Sequence, residues 1–398
     1  MIVKSVHNII KVLWISCLLQ ACSSDGYVPE EPATLNTFKQ VMEAKVDWSE
    51  TIGSGVGDYY SRLNPAIGYG KYFAADRYSK VMAFDEQSGD VVWQTKILDV
   101  IEKAPLNDVN NARLASGLTV GYKKVFVGSE HGLITALDAE TGRLLWSQKL
   151  AGELLSKPVL ALNKVVVHAA SGIIYAFDVE TGKKVWDFYS ALPALTLRGT
   201  SEPVAEYGAI IFGTAEGKLV VLDAQTGLPA WMSQLTVPQG TNDLERIRDI
   251  DAKVLVVDQS LYVLGFNGHL VSLNVRDGKV IWKRNYSGLN NLAVQGNTLF
   301  LTDARDNVIS VDRQTGKELW RNKNLTLRQL TAPAVINGVV VVGDFEGYVH
   351  ALDARTGAFV ARVRADSHGL LGQPIVTDDK KFLFQSRDGD IARVVVKQ

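Results

Sequence analysis

Six histidines and two cysteines are the side chains here best suited to hold a metal or attack an electrophile, and their spacing serves neither purpose. His131, His168, His269, His350 and His368 are scattered along the chain and His7 lies near its start, with no histidine at metal-ligand spacing from another histidine or a cysteine. Scattered turn histidines of this kind are expected to be solvated. No G-x-S-x-G elbow, P-loop or dinucleotide fingerprint occurs among the glycines. The carboxylates that do recur at fixed spacing belong to repeated turns, so no catalytic residue, metal site or cofactor is expected. With 42 basic against 43 acidic side chains the formal charge is -1, which removes the electrostatic basis for nucleic-acid binding.

The cysteines have a different use. Lys4, His7 and Lys11 precede the apolar run Val12 to Leu19, which ends in Leu19-Gln20-Ala21-Cys22, and this reads as an export signal over residues 1–21. Eight apolar residues fall far short of the roughly 20 a membrane-spanning helix needs. Ala21-Cys22 resembles the lipobox of bacterial lipoproteins, and the resemblance implies an acylated Cys22 at the mature N-terminus. Cys17 leaves with the signal, so no free thiol remains for a disulfide, a metal or a nucleophile. Ser23 and Ser24, in place of aspartate, resemble the pattern that sorts lipoproteins to the outer membrane, with the folded part in the periplasm. Residues 22–41, including Pro29, Glu30, Glu31 and Pro32, are expected to form a flexible, solvated tether.

From residue 42 onward one pattern governs the chain. An apolar strand ends in Asp, then come two variable residues, Thr or Ser, Gly, three residues, and Trp. The copies run Asp85 to Trp93, Asp138 to Trp146, Asp178 to Trp186, Asp223 to Trp231, Asn274 to Trp282, Asp312 to Trp320 and Asp353 to Ala361. The last lacks Trp, and the fifth has Asn274 with Asp277 before Gly278. The aspartate can accept backbone N–H groups as in an Asx turn, and the following glycine suits the left-handed position. Six residues before each Asp or Asn stands Gly132, Gly172, Gly217, Gly268, Gly347, Ser79 or Asp306, as a hairpin with positive φ favours.

Each unit opens with a further strand, often after a proline: Pro65, Pro158, Pro203, Pro333 and Pro374, with proline-free openings near Leu118, Val254 and Leu292. Trp93 to Trp320 spans 227 residues in five intervals, about 45 each, the length of a four-stranded propeller blade. The expected fold is an all-β, eight-bladed β-propeller of antiparallel blades over residues 42–398. Three C-terminal strands, near Ile375, Phe382 to Gln385 and Ile391 to Val396, lack a fourth, and Val46-Asp47-Trp48 supplies it, closing the ring. Each tryptophan is expected to pack between neighbouring blades with its indole N–H on the next blade's backbone.

The D-x-x-T-G-x-x-x-W signature is similar to that of the quinoprotein dehydrogenase propellers, but the adjacent-cysteine pair often found there is missing. A short lipoprotein made of these repeats resembles the lipoprotein subunits of the outer-membrane β-barrel assembly machinery, non-enzymatic scaffolds that bind the barrel-inserting subunit BamA. Two segments carry the finer resemblance: Leu195-Thr196-Leu197-Arg198-Gly199 and Arg248-Asp249-Ile250-Asp251. Both join an outer strand to the next blade's inner strand, and such connections share one end of a propeller. The resemblance implies that Leu195, Leu197, Arg198, Asp249 and Asp251 contact BamA, although Ala191, Pro193 and Ala194 before one segment and Leu244-Glu245-Arg246-Ile247 before the other depart from the family pattern. A propeller dehydrogenase, or a receptor for unfolded outer-membrane protein strands, is the alternative function. The strand receptor is compatible with the scaffold.

Overall fold

The repeated turn builds the architecture one hairpin at a time. In Asp178-Val179-Glu180-Thr181-Gly182, Asp178 Oδ1 accepts the Thr181 hydroxyl and N–H, both at 2.8 Å, and the Glu180 N–H at 3.1 Å. These bonds, the Thr181 hydroxyl foremost, hold the Asp178 carboxyl below its usual range. In the fifth copy Asn274 accepts from the Arg276 N–H and Asp277 from the Lys279 N–H. Every such turn ends one hairpin and points its outer strand back along the blade.

A computed structural model of the chain describes residues 30–101, 113–236, 249–266 and 268–397. The export signal and Cys22 lie outside the described residues. Within them the strands form eight four-stranded antiparallel sheets arranged as an eight-bladed propeller. In chain order, blades 1 to 7 occupy 66–96, 119–149, 159–189, 204–234, 255–284, 293–322 and 334–364. Blade 8 combines Leu370–Val376, Phe382–Ser386 and Asp390–Lys397 with Glu43–Thr51 from the other end of the chain. That outer strand pairs antiparallel with its neighbour from Glu43 opposite Lys397 to Thr51 opposite Asp390. Pro65, Pro158, Pro203 and Pro333 each stand one residue before an inner strand, where a missing N–H costs no ladder bond. Pro374 instead sits inside Leu370–Val376, where the register slips.

The core lies between blades. Phe126 and Trp146 of blade 2 pack with Val165, Val167, Tyr175 and Phe177 of blade 3, and equivalent clusters recur around the ring. Six indoles donate to the residue after the Asp or Asn of the next blade's turn: Trp93 to Ala139 O, Trp146 to Val179 O, Trp186 to Ala224 O, Trp231 to Val275 O, Trp282 to Arg313 O and Trp320 to Ala354 O, at 2.9 to 3.2 Å. The turn glycine lies under the ring. At Gly142, with φ +70°, an added Cβ would stand 2.5 Å from Trp93. Trp48 sits on Gly89 in the same manner, between Tyr72 and Phe84, but there Arg393 Nη1 donates to the equivalent carbonyl of Glu86 at 2.7 Å.

Ala361 has a matching explanation. In blade 8 the last two strands come from opposite ends of the chain, so no Asp-Gly turn joins them to receive an indole from blade 7. Residues 30–42 cover this seam, which corrects the expectation of a solvated tether for that stretch. Val41 and Met42 donate to Val360 O, Phe38 stacks on Phe359 at 5.3 Å, and Arg362 lies over both rings. Further back Ala33 donates to Thr326 O and accepts from Arg328, while Glu30 pairs with Arg305 at 2.6 Å. Leu35 and Phe38 supply apolar surface that a tether would leave in water.

Candidate partner-binding face

Three outer-to-inner connections converge at one end of the ring. Residues 190–203 join blade 3 to blade 4, residues 249–254 enter blade 5, and residues 52–65 join blade 8 to blade 1. The first displays Leu195, 41% exposed, with Leu192 and Tyr189 exposed beside it. Leu197 is partly buried, and its N–H donates to Asp249 Oδ2 at 2.6 Å. The two segments singled out in the sequence therefore touch.

The aspartates are not displayed. Asp249 is 1% exposed and Asp251 4%. Burial pushes the Asp249 carboxyl up to about 7, the charge of Asp251 adds to this, and the Leu197 N–H opposes it. Asp249 Oδ1 has no hydrogen-bond partner among the described residues. Burial also raises Asp251, against the attraction of Arg62. Arg62 Nη2 stands 3.8 Å from Asp251 Oδ2, while Nη1 donates to Asp251 O at 3.0 Å and Thr200 O at 3.1 Å, and Nε donates to the Tyr60 hydroxyl at 2.7 Å. Gly199 passes so close that a Cβ would stand 2.4 Å from Asp251 Oδ2. Direct partner contact, expected for both aspartates, does not fit their burial; they brace the loop from beneath.

Arg198 is 43% exposed at its side chain and already engaged. It pairs with Glu153 at 3.2 Å and with buried Glu130 at 3.2 Å, and Glu130 also pairs with Arg77 at 2.7 Å. Arg77 lies 3.9 Å over the Tyr59 ring. Arg62, Arg77, Glu130 and Glu153 were missed as parts of this site. Ring closure alone would have placed residues 52–65 at this end, but no sequence signal tells that Arg62 reaches under the loop.

Beside the loop a cleft of about 280 Å³ runs between blades 3 and 4, lined by Leu155, His168, Leu192, Leu197 and Arg198. His168 is buried rather than solvated, its Nδ1 is 3.0 Å from Ser201 O, and burial pushes its pKa down to about 4. A neutral imidazole donates that bond. His350 is likewise buried, with Nε2 2.9 Å from Asp344, so the expectation of solvated histidines fails at both positions. His168 meets its partner on the connection to the next blade and His350 within its own blade, and among the described residues no group of three His, Cys, Asp or Glu is placed to hold a metal.

The sequence and fold match known proteins over nearly the whole chain. A family model described as outer membrane protein assembly factor BamB matches residues 77–322 and 304–397. The BamB of Shewanella oneidensis is 45% identical, covering 95% of this chain and 96% of its own, and that of Escherichia coli K12 is 38% identical, covering 94% and 95%. The crystal structure of BamB from Moraxella catarrhalis superposes with a TM-score of 0.78 at 25% identity, covering 88% of this chain and 99% of that one. A quinohemoprotein alcohol dehydrogenase from Comamonas testosteroni reaches a TM-score of 0.70 at 15% identity, a likeness of fold alone. The chain belongs to the family of the outer membrane protein assembly factor BamB.

Proposed function

We propose that this chain is a non-enzymatic scaffold for assembling outer-membrane β-barrel proteins, and that its loop at residues 195–198 docks on a BamA-like barrel-inserting subunit. The observation that carries this reading is the loop's construction: Leu195 and Arg198 are presented to solvent from above, while Asp249 and Asp251 fix the backbone from below. An exposed leucine beside an arginine on a pre-ordered loop is the composition of an interface anchor, and pre-ordering lowers the entropy lost on docking. The relatives' name as assembly factors supports the same role.

Cys22 is the lipid anchor in this reading, and the propeller faces the periplasm from the outer membrane. Glu30 and Ala33 are held by Arg305 and Thr326, at the end of the ring where outer-to-inner connections emerge. The anchor and the docking loop thus leave the propeller at one end. Cys22→Ser should release folded protein into the soluble periplasmic fraction; retention in membranes after a salt wash would rule out the anchor. For the docking loop the test is co-purification with BamA from membranes using the Leu195→Ala, Arg198→Ala double variant, with Lys183→Glu at the opposite end as control. Loss of BamA from the double variant alone supports the face, and full recovery overturns it.

A second role rests on the outer strands, whose free edges carry exposed Met232, Val280 and Ile281. Such edges can add a strand of an unfolded barrel protein. Site-specific crosslinking from Met232 or Ile281 to a substrate in transit tests this, and its absence removes the role without touching the first.

A further inference from the structure

At the propeller axis the inner-strand entrances enclose a funnel of about 250 Å³, open at the same end as the 195–198 loop. Its wall includes Arg62, Asn64, Lys157, Glu202, Asn291 and Gln373. The amides largely satisfy one another. Asn64 donates to Gln373 O, Asn291 donates to Gln373 Oε1, and Gln373 donates to Pro333 O and Leu292 O. Glu202, the carboxylate in this wall, is committed to Lys253 at 3.0 Å.

What is left over is cationic. Lys157 makes no ion pair or hydrogen bond among the described residues. Arg62 spends Nε and Nη1 on Tyr60, Thr200 and Asp251, but Nη2 makes no hydrogen bond and lies 3.8 Å from the nearest carboxylate oxygen. A guanidinium has five N–H donors and an ammonium three, so unspent donors of two cations line one small chamber. We propose that this funnel binds a small oxyanion, a carboxylate or a phosphate, between Lys157 and Arg62. Charge-assisted bonds of this kind are the strong ones, and they gain where the walls keep part of the bulk water away. Burial depresses the Lys157 ammonium, attraction from Glu202 opposes this and Lys253 adds to it, so an anion bound there would favour the charged form. The site does not depend on the docking role of the neighbouring loop.

The test is isothermal titration of the full chain in detergent with inorganic phosphate and, separately, acetate, at constant ionic strength in chloride. Two variants accompany it, Lys157→Met and Glu202→Gln, each checked for its thermal midpoint. One saturable site for either anion is expected, weakened about tenfold or more by Lys157→Met, since a charge-assisted bond is lost. Glu202→Gln should tighten binding by removing the wall's carboxylate, whose attraction for Lys157 competes with the anion. No saturable heat for either anion up to about 10 mM overturns the site. So does equal affinity in the Lys157→Met variant. If that variant fails to fold, Glu202→Gln decides alone: tighter binding supports the site, and unchanged or weaker binding overturns it.

Discussion

The backbone N–H of Leu197 ends on the carboxylate of Asp249, 52 residues away in sequence and 2.6 Å away in space. The bond crosses from the connection entering blade 4 to the one entering blade 5, so the exposed loop is held by a neighbour that is itself buried. Asp249 shares its pocket with Asp251; the Leu197 N–H offsets the burial of the first and Arg62 that of the second. The brace is therefore sensitive to protons.

Asp249 gives a pH dependence with a definite sign. Its folded value near 7 lies above the unfolded value of about 3.9, so between these limits the folded state holds the extra proton. Stability contributed by this group is full below pH 4 and is lost as pH rises through 7, by up to about 4 kcal/mol as an order of magnitude. Asp249→Asn keeps an acceptor for Leu197 and removes the charge. Its thermal midpoint should exceed that of the parent at pH 8 and approach it at pH 5; a parallel pH profile for the two proteins would contradict the assignment.

Arg198 separates binding from stability only with a neutral replacement. Arg198→Ala leaves Glu130 paired to Arg77, so stability should change by about 1 kcal/mol or less. Arg198→Glu puts a third carboxylate beside Glu130 and Glu153 and should cost more through repulsion. Chemical denaturation of both variants checks this. Equal stabilities would mean the charge cluster carries no weight.

At Ala361 the tryptophan series ends for lack of a receiving turn, and the residue is fully buried. Ala361→Trp restores the repeat's consensus yet should destabilise by about 1 to 3 kcal/mol or more through overpacking. A gain in thermal midpoint would show that the seam can accept an indole after all.

Deleting residues 42–50 removes the outer strand of blade 8 with Trp48, and with Asp47, which pairs with Arg393 at 3.1 Å and Lys381 at 2.8 Å. The edge of Asp390–Lys397 is then bare. Aggregation or a broadened unfolding transition should follow, and size-exclusion chromatography with calorimetry reads both. A monomer with an unchanged transition would argue against closure by this strand.

Much of this protein is written in its local chemistry. An Asx turn, a left-handed glycine and a tryptophan at fixed spacing act within about ten residues, so seven copies specify seven hairpins without reference to the rest of the chain. Three strands left over at one end and one at the other then specify the eighth blade, because an unpaired ladder is costly. That the 195–198 and 249–251 segments share one end also followed, since connections of one type emerge there, whereas their direct contact through Leu197 and Asp249 did not.

Which of those residues face water was decided only in three dimensions. Asp249 and Asp251 look like display residues in sequence, and Asp178 and Asp223 look no different; the packing of two connections over Arg62 buries the first pair and leaves the second pair in exposed turns. His168 and His350 went inside as well, His168 meeting Ser201 O on the connection to blade 4 and His350 meeting Asp344 within its own blade. Residues 30–42 have the polarity of a tether, yet the seam left by Ala361 offers Phe359 and Arg362 to cover. Burial depends on what packs from other blades, and desolvation is a property of that assembled surface, so it has no signature in any one stretch of chain.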